Sequence, residues 1–120
     1  MTKVQFERQS ALASCVELTS ASIGKTIDIP LPPGAVVLLV GIVVDSPFDG
    51  NTPSGRLHID GVTVLGRSFE TEVRAANSPI RYFPDGVTLS VQASGTDVTT
   101  GHGICFVEYI VVGRANEVYG

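Results

Sequence analysis

The chain has 120 residues of one compositional character, so it points to one domain, large enough to bury one core. Apolar residues make up 43% and charged residues only 17%, a balance that excludes a disordered tail. The net charge of −4, with eight basic residues scattered from Lys3 to Arg114, argues against nucleic acid as a partner, because phosphate binding needs clustered Lys and Arg.

Residues 1–10 are polar and mixed in charge, which predicts an N-terminal arm with no signal peptide and synthesis in a cytoplasm, where the protein stays unless it leaves as part of something larger. From there the chain reads as strands separated by turn chemistry. Leu12–Thr19 and Lys25–Leu31 come first; in the second, Ile27 and Ile29 alternate with Thr26 and Asp28, as on a strand with one dry and one wet face. Pro32-Pro33-Gly34 then breaks the ladder, since proline lacks an amide proton. Ala35–Val44 is the longest apolar run, interrupted by Gly41 and rich in β-branched residues, hence a buried strand and too short for a membrane helix. Asp49-Gly50-Asn51 is a turn, and Asn51-Thr52-Pro53-Ser54 reads as loop. Arg56–Ile59 and Val62–Leu65 flank Asp60-Gly61, the strongest hairpin signal present.

Ser68–Val73 is expected as an edge strand with Glu70 and Glu72 on its wet face. Ile80–Phe83 follows. In Val87–Ala93 all apolar side chains share one face, and Gly103–Val112 closes the domain. Helical periodicity is nearly absent. The sequence therefore predicts an all-β fold: an antiparallel β-sandwich, jelly-roll-like, of about eight strands over residues 11–113, followed by a C-terminal tail over 114–120. An immunoglobulin-like arrangement is disfavoured, because no Trp lies between the two cysteines. Ala35–Val44 and Ile104–Val112 are apolar on both faces. Either loops cover their outer faces, or those faces form a subunit contact.

No group of residues proposes chemistry. His58 and His102 are 44 apart in sequence, and neither has a second ligand type at metal spacing. No serine sits in a Gly-x-Ser-x-Gly elbow. Gly95–Gly103 is Gly-rich but lacks the lysine of a phosphate loop. The loop from Asp45 to Asn51 lacks the ligand alternation of a calcium loop. Cys15 and Cys105 both lie in apolar segments and are expected as buried, reduced thiols. The expectation is a protein that is not an enzyme and takes no cofactor or metal.

The run from Ile29 to Gly50, IPLPPGAVVLLVGIVVDSPFDG, combines a Pro-Gly turn, a long apolar strand and a Phe-Asp-Gly loop. Arg56–Asp60 adds a short strand ending in Asp, and Gly101–Ile110 a Gly-rich turn with a final strand. Together, over residues 25–112, these resemble small β-rich virion proteins of tailed bacteriophages, and among them jelly-roll capsid cement, or decoration, proteins. The loop at Asn51–Ser54 and the tail depart from the pattern. The resemblance implies a structural protein on the capsid exterior with the major capsid protein as partner, in a homo-oligomer (dimer or trimer), and without nucleic acid or membrane. It carries over no functional residue; the elements expected to make contact, read from the chain itself, are the arm with Phe6, the loop with Pro47, Phe48 and Asp49, and the tail with Tyr119. The competing reading is a head-fibre, tail or receptor-binding module that recognises host surface glycan. The scarcity of aromatic residues and absence of Trp weigh against it, because sugar rings stack on exposed aromatics.

Overall fold

The computed structural model describes residues 11–112, which form nine strands in two antiparallel sheets. They are β1 (Leu12–Thr19), β2 (Thr26–Leu31), β3 (Ala35–Ser46), β4 (Asn51–Ile59), β5 (Val62–Ser68), β6 (Val73–Asn77), β7 (Arg81–Phe83), β8 (Val87–Thr96) and β9 (His102–Val111). One sheet has the order β1-β9-β3-β6, with β7 also paired to β3; the other has the order β2-β8-β4-β5. β6 and β7 lie along the same strand, β3, and act as one strand interrupted at Ser78-Pro79-Ile80. Pro79 has no amide to donate, and Ile80 sits at φ 44°, a conformation that β-branched residues resist.

Counted this way, the antiparallel pairs nest: β1 with β9, β2 with β8, β3 with β6 and β7, β4 with β5. A single long hairpin rolled over two sheets produces that order, which is the winding of a jelly roll. The β-sandwich read from the sequence is therefore the fold.

The core lies between the two inner faces. Leu18, Ala35, Val37, Val40, Ile42, Val44, Cys105 and Val107 come from one sheet, and Ile29, Leu31, Leu57, Ile59, Leu65, Leu89 and Val91 from the other. Strand alternation places most of them, with one exception of phase. Val37 and Val40 are three residues apart yet both point inward, because a bulge between Val37 and Leu39 inserts Leu38 against β9. Pro30 is tolerated in β2 because that strand is an edge. The Asp60-Gly61 hairpin forms as expected, with both residues at positive φ (51° and 76°), as a two-residue type I′ turn requires.

Three local expectations are corrected. Ser68–Val73 is not a strand: Phe69 donates its amide to the Pro53 carbonyl at 2.8 Å and accepts from the Phe48 amide at 2.9 Å. These bonds hold its backbone in a connection, its ring enters the core, and Glu70 and Glu72 lie in the following loop. The edge strand forms later, at Val73–Asn77. Asn51–Ser54 is not loop but the start of β4, accommodated by a register shift against β8. Finally, Cys15 is exposed, because the alternation of β1 sends Leu12, Ser14, Val16 and Leu18 inward and Ala13, Cys15 and Glu17 outward.

Candidate functional site

The outer face of the β1-β9-β3-β6 sheet carries apolar side chains that the core does not use, Tyr82 and Ile104 among them. Directly paired residues of antiparallel strands point to the same side, so the register defines rows across this face. The first runs Glu17–Ile104–Val43–Arg74, one residue from each of β1, β9, β3 and β6. The second runs Cys15–Phe106–Gly41–Ala76. Beyond it, Glu108 stands between Ala13 and Leu39. Ile104 is 36% exposed and Tyr82, opposite Val36 on the same face, is 53% exposed.

Phe106 lies across Gly41 so closely that a Cβ there would come within 2.3 Å of its ring. The glycine gives the ring a seat on the backbone, and the ring covers a strand segment that has no side chain of its own. Phe106 is thus half-buried on the outer face. Beside it a shallow hollow of about 330 Å³ is lined by Val43, Arg74, Ala75, Ala76 and Phe106.

At one end of the face His102 lies between two carboxylates, with Nδ1 2.5 Å from Asp45 Oδ1 and Nε2 3.7 Å from Glu17 Oε1. The Asp45 hydrogen bond raises the His102 pKa above its ordinary value, and the same bond lowers that of Asp45. The second sheet has a histidine of its own. His58 is held by Gln92 at 3.2 Å and Thr63 at 3.1 Å, a cross-strand hydrogen-bond ladder. Among the described residues no three His, Cys, Asp or Glu side chains gather as a metal site.

The sequence-predicted contact loop behaves differently from expectation. Pro47 is exposed. Phe48 is buried at 4% exposure, its ring 5.1 Å from that of Phe69 and packed over Gly101, so its side chain belongs to the core and is not available as an anchor. Asp49 accepts from the Thr99 amide at 2.7 Å, the Thr99 hydroxyl at 2.5 Å and the Thr100 amide at 3.0 Å. The Thr99 hydroxyl first, then the two amides, bring the Asp49 pKa down to about 2. It staples the β3–β4 connection to the β8–β9 connection while its surroundings remain open to solvent. Phe6 and Tyr119 lie outside the described residues.

A second, polar groove of about 450 Å³ runs along β4 and β5, lined by residues including Thr52, Ser54, Arg56, Arg67, Ser68 and Glu70, without an aromatic ring. Of the two thiols, burial pushes Cys105 up to about 12, whereas Cys15 faces solvent.

Sequence reasoning did not single out Glu17, Arg74 or the Asp45–His102 pair. Glu17 was detectable as the outward charge of an alternating strand, but nothing in the sequence sets it in one row with Arg74, 57 residues away.

No protein-family model matches the chain, and no curated protein matches it in sequence. Solved structures do match in shape. A chain of the acidic stable capsid structure of Helicobacter pylori bacteriophage KHP30 superposes with a TM-score of 0.65 at 14% identity, over 86% of this chain and 90% of that one. A chain from Bacillus endospore appendages, described as disulfide-linked pili, reaches a TM-score of 0.50 at 13% identity over 85% and 88%. Dimeric latent PorU from Porphyromonas gingivalis reaches 0.50 at 11% identity, over 84% of this chain but 13% of that one. At these identities the likeness is one of fold: this chain shares its β-sandwich with a phage capsid chain of matching extent.

Proposed function

We propose that this chain is a structural virion protein that binds the outer surface of a phage capsid and stabilises it as a cement protein, without catalysis. The observation that carries the reading is the extent of the fold likeness: nearly all of this chain superposes on nearly all of a chain from a phage capsid structure. The Pro-Gly turn, long apolar strand and Phe-Asp-Gly loop of residues 29–50, similar to those of small virion proteins, support it independently.

The mechanism is linkage. A protein that binds only the assembled shell stabilises that state by its binding free energy, about 2.7 kcal/mol per site when present at a hundred times its dissociation constant. Contacts to two capsid subunits at once add avidity. The rigid sandwich supplies the body, and the exposed Pro47 and the Asp49-stapled loop lie at one of its ends. Phe6 of the arm and Tyr119 of the tail complete the proposed contacts. Phe48 acts from inside, by holding that loop.

A cryo-electron-microscopy map of the virion that encodes the chain tests this. Density for the sandwich on the outer shell, bridging major capsid subunits, is the expected result. A bare shell with the sandwich on a tail or fibre overturns it and makes the protein an attachment module, to be followed by glycan-array binding.

A further inference from the structure

We infer that the outer face of the β1-β9-β3-β6 sheet is a self-association surface, and that its occupant is a second copy of this chain related by a two-fold axis parallel to the strands.

The row Glu17–Ile104–Val43–Arg74 has an acid at one end, a base at the other and two aliphatic residues between. With strands about 4.8 Å apart, the two charges are separated by roughly 14 Å, a span that keeps them out of direct contact within one chain. Arg74 has no ion-pair partner among the described residues, and Glu17 has only His102, at 3.7 Å.

A two-fold axis running between β9 and β3, parallel to them, lays this row against its own reverse. Glu17 of one copy then meets Arg74 of the other, twice, with Ile104 and Val43 enclosed between the two ion pairs. An axis across the strands would instead set acid against acid, so the charges select one orientation. That orientation also keeps the strands of the two facing sheets nearly aligned, the usual geometry of face-to-face sheet packing.

Shape follows the same antisymmetry. Ile104 is the protruding aliphatic side chain on the β9 side, and the hollow of about 330 Å³ lies on the β6 side, beside Phe106. The same axis brings Ile104 of each copy to the hollow of the other. An isologous contact needs such a pairing, in which each feature and its complement lie on opposite sides of the axis.

Glu108 bounds the contact, because its carboxylate stands one row beyond Phe106. Between that limit and the His102 row the patch measures roughly 20 Å by 20 Å, about 400 Å² per partner, well below the ~800 Å² of a standard interface. The dimer is therefore weak and concentration-dependent. On a capsid, where copies stand close together, such a contact would link neighbours.

The test uses the full chain, free of any capsid, in sedimentation equilibrium. Wild type is expected to dimerise reversibly. E17R and R74E, each checked for native circular dichroism, are each expected to weaken dimerisation by roughly tenfold or more, because each sets like charges face to face. An equimolar mixture of the two restores it, since each E17R copy then faces an R74E copy at both positions. In parallel, the reaction rate of Cys15 with a thiol reagent falls as wild-type concentration rises, because Cys15 lies in the covered second row.

A wild type that stays monomeric at all concentrations overturns the inference. So does dimerisation that the single variants leave unchanged, or that the mixture fails to restore. Cys15 protection that appears only on addition of capsid also overturns it, and would assign the face to a capsid subunit. The sedimentation outcomes leave capsid binding unaffected, so they separate this inference from the proposed function.

Discussion

Replacing Phe48 by alanine separates a core residue from a surface anchor by magnitude alone. The ring is 4% exposed, stands 5.1 Å from Phe69, and covers Gly101 so closely that a Cβ there would lie 2.4 Å from it. Removing a buried phenylalanine costs about 3–5 kcal/mol in transfer and cavity terms. The value here should fall near ~3, the low end of that range, because a connecting loop can partly collapse. For a domain of this size, ~3 kcal/mol corresponds to a fall in Tm of roughly 12–24 °C. Urea unfolding with an unchanged m-value measures the loss directly. A double-mutant cycle with F69A should show a coupling of about 0.5–1.5 kcal/mol, the usual worth of a packed aromatic pair. A loss under about 0.5 kcal/mol, the range of ordinary surface substitutions, refutes the core assignment and returns Phe48 to the surface.

Three further outcomes are expected. The His102 pKa lies above 6.5, so in an NMR titration the His102 midpoint should exceed that value and fall in D45N; an unchanged midpoint would dissociate it from Asp45. By sign, the raised His102 contributes stability that is complete below the ordinary histidine range and is lost as pH rises through its folded pKa. The lowered Asp45 contributes stability present above 3.8 and lost as pH falls through its folded pKa, so their pairing holds between the two. In dilute native protein a thiol reagent should modify Cys15 alone, with Cys105 reacting only after unfolding, since burial holds it at about 12; two fast thiols would contradict the register of β1 and β9. G61A should cost about 1 kcal/mol in urea unfolding, because Gly61 holds φ 76° in the hairpin turn, and a neutral result would mean the turn is not type I′.

Much of the sandwich was legible because its signals are local. Alternation along Val87–Ala93 and Thr26–Leu31 reports one dry face, and Asp60-Gly61 marks a hairpin through its own backbone preferences. The errors fall where a distant partner outweighs local pattern. Ser68–Val73 looks extended, yet Phe69 is captured by the Pro53 carbonyl and seated over Gly55, a glycine whose added Cβ would meet the ring at 2.1 Å. Phe48 sits in a polar loop and reads as exposed until Gly101, 53 residues later, gives its ring a bed. Cys15 lies among apolar neighbours, but only pairing with β9 establishes that its side of β1 is the outer one.

The candidate face shows the same division. That Ala35–Val44 and Ile104–Val112 are apolar on both sides is written in the residues themselves, because side-chain direction alternates every residue along a strand. So are the all-β class and the turns, which depend on intrinsic backbone freedom. The rows are another matter. Glu17, Ile104, Val43 and Arg74 come from four strands, and their alignment depends on register across β1, β9, β3 and β6. Register is set by which distant side chains bury together and by bulges such as Leu38, and a slip of one residue would turn each row to the other side. Strands with surplus apolar surface follow from local residue pattern; which charges border that surface follows from tertiary packing, because strand pairing is a long-range choice.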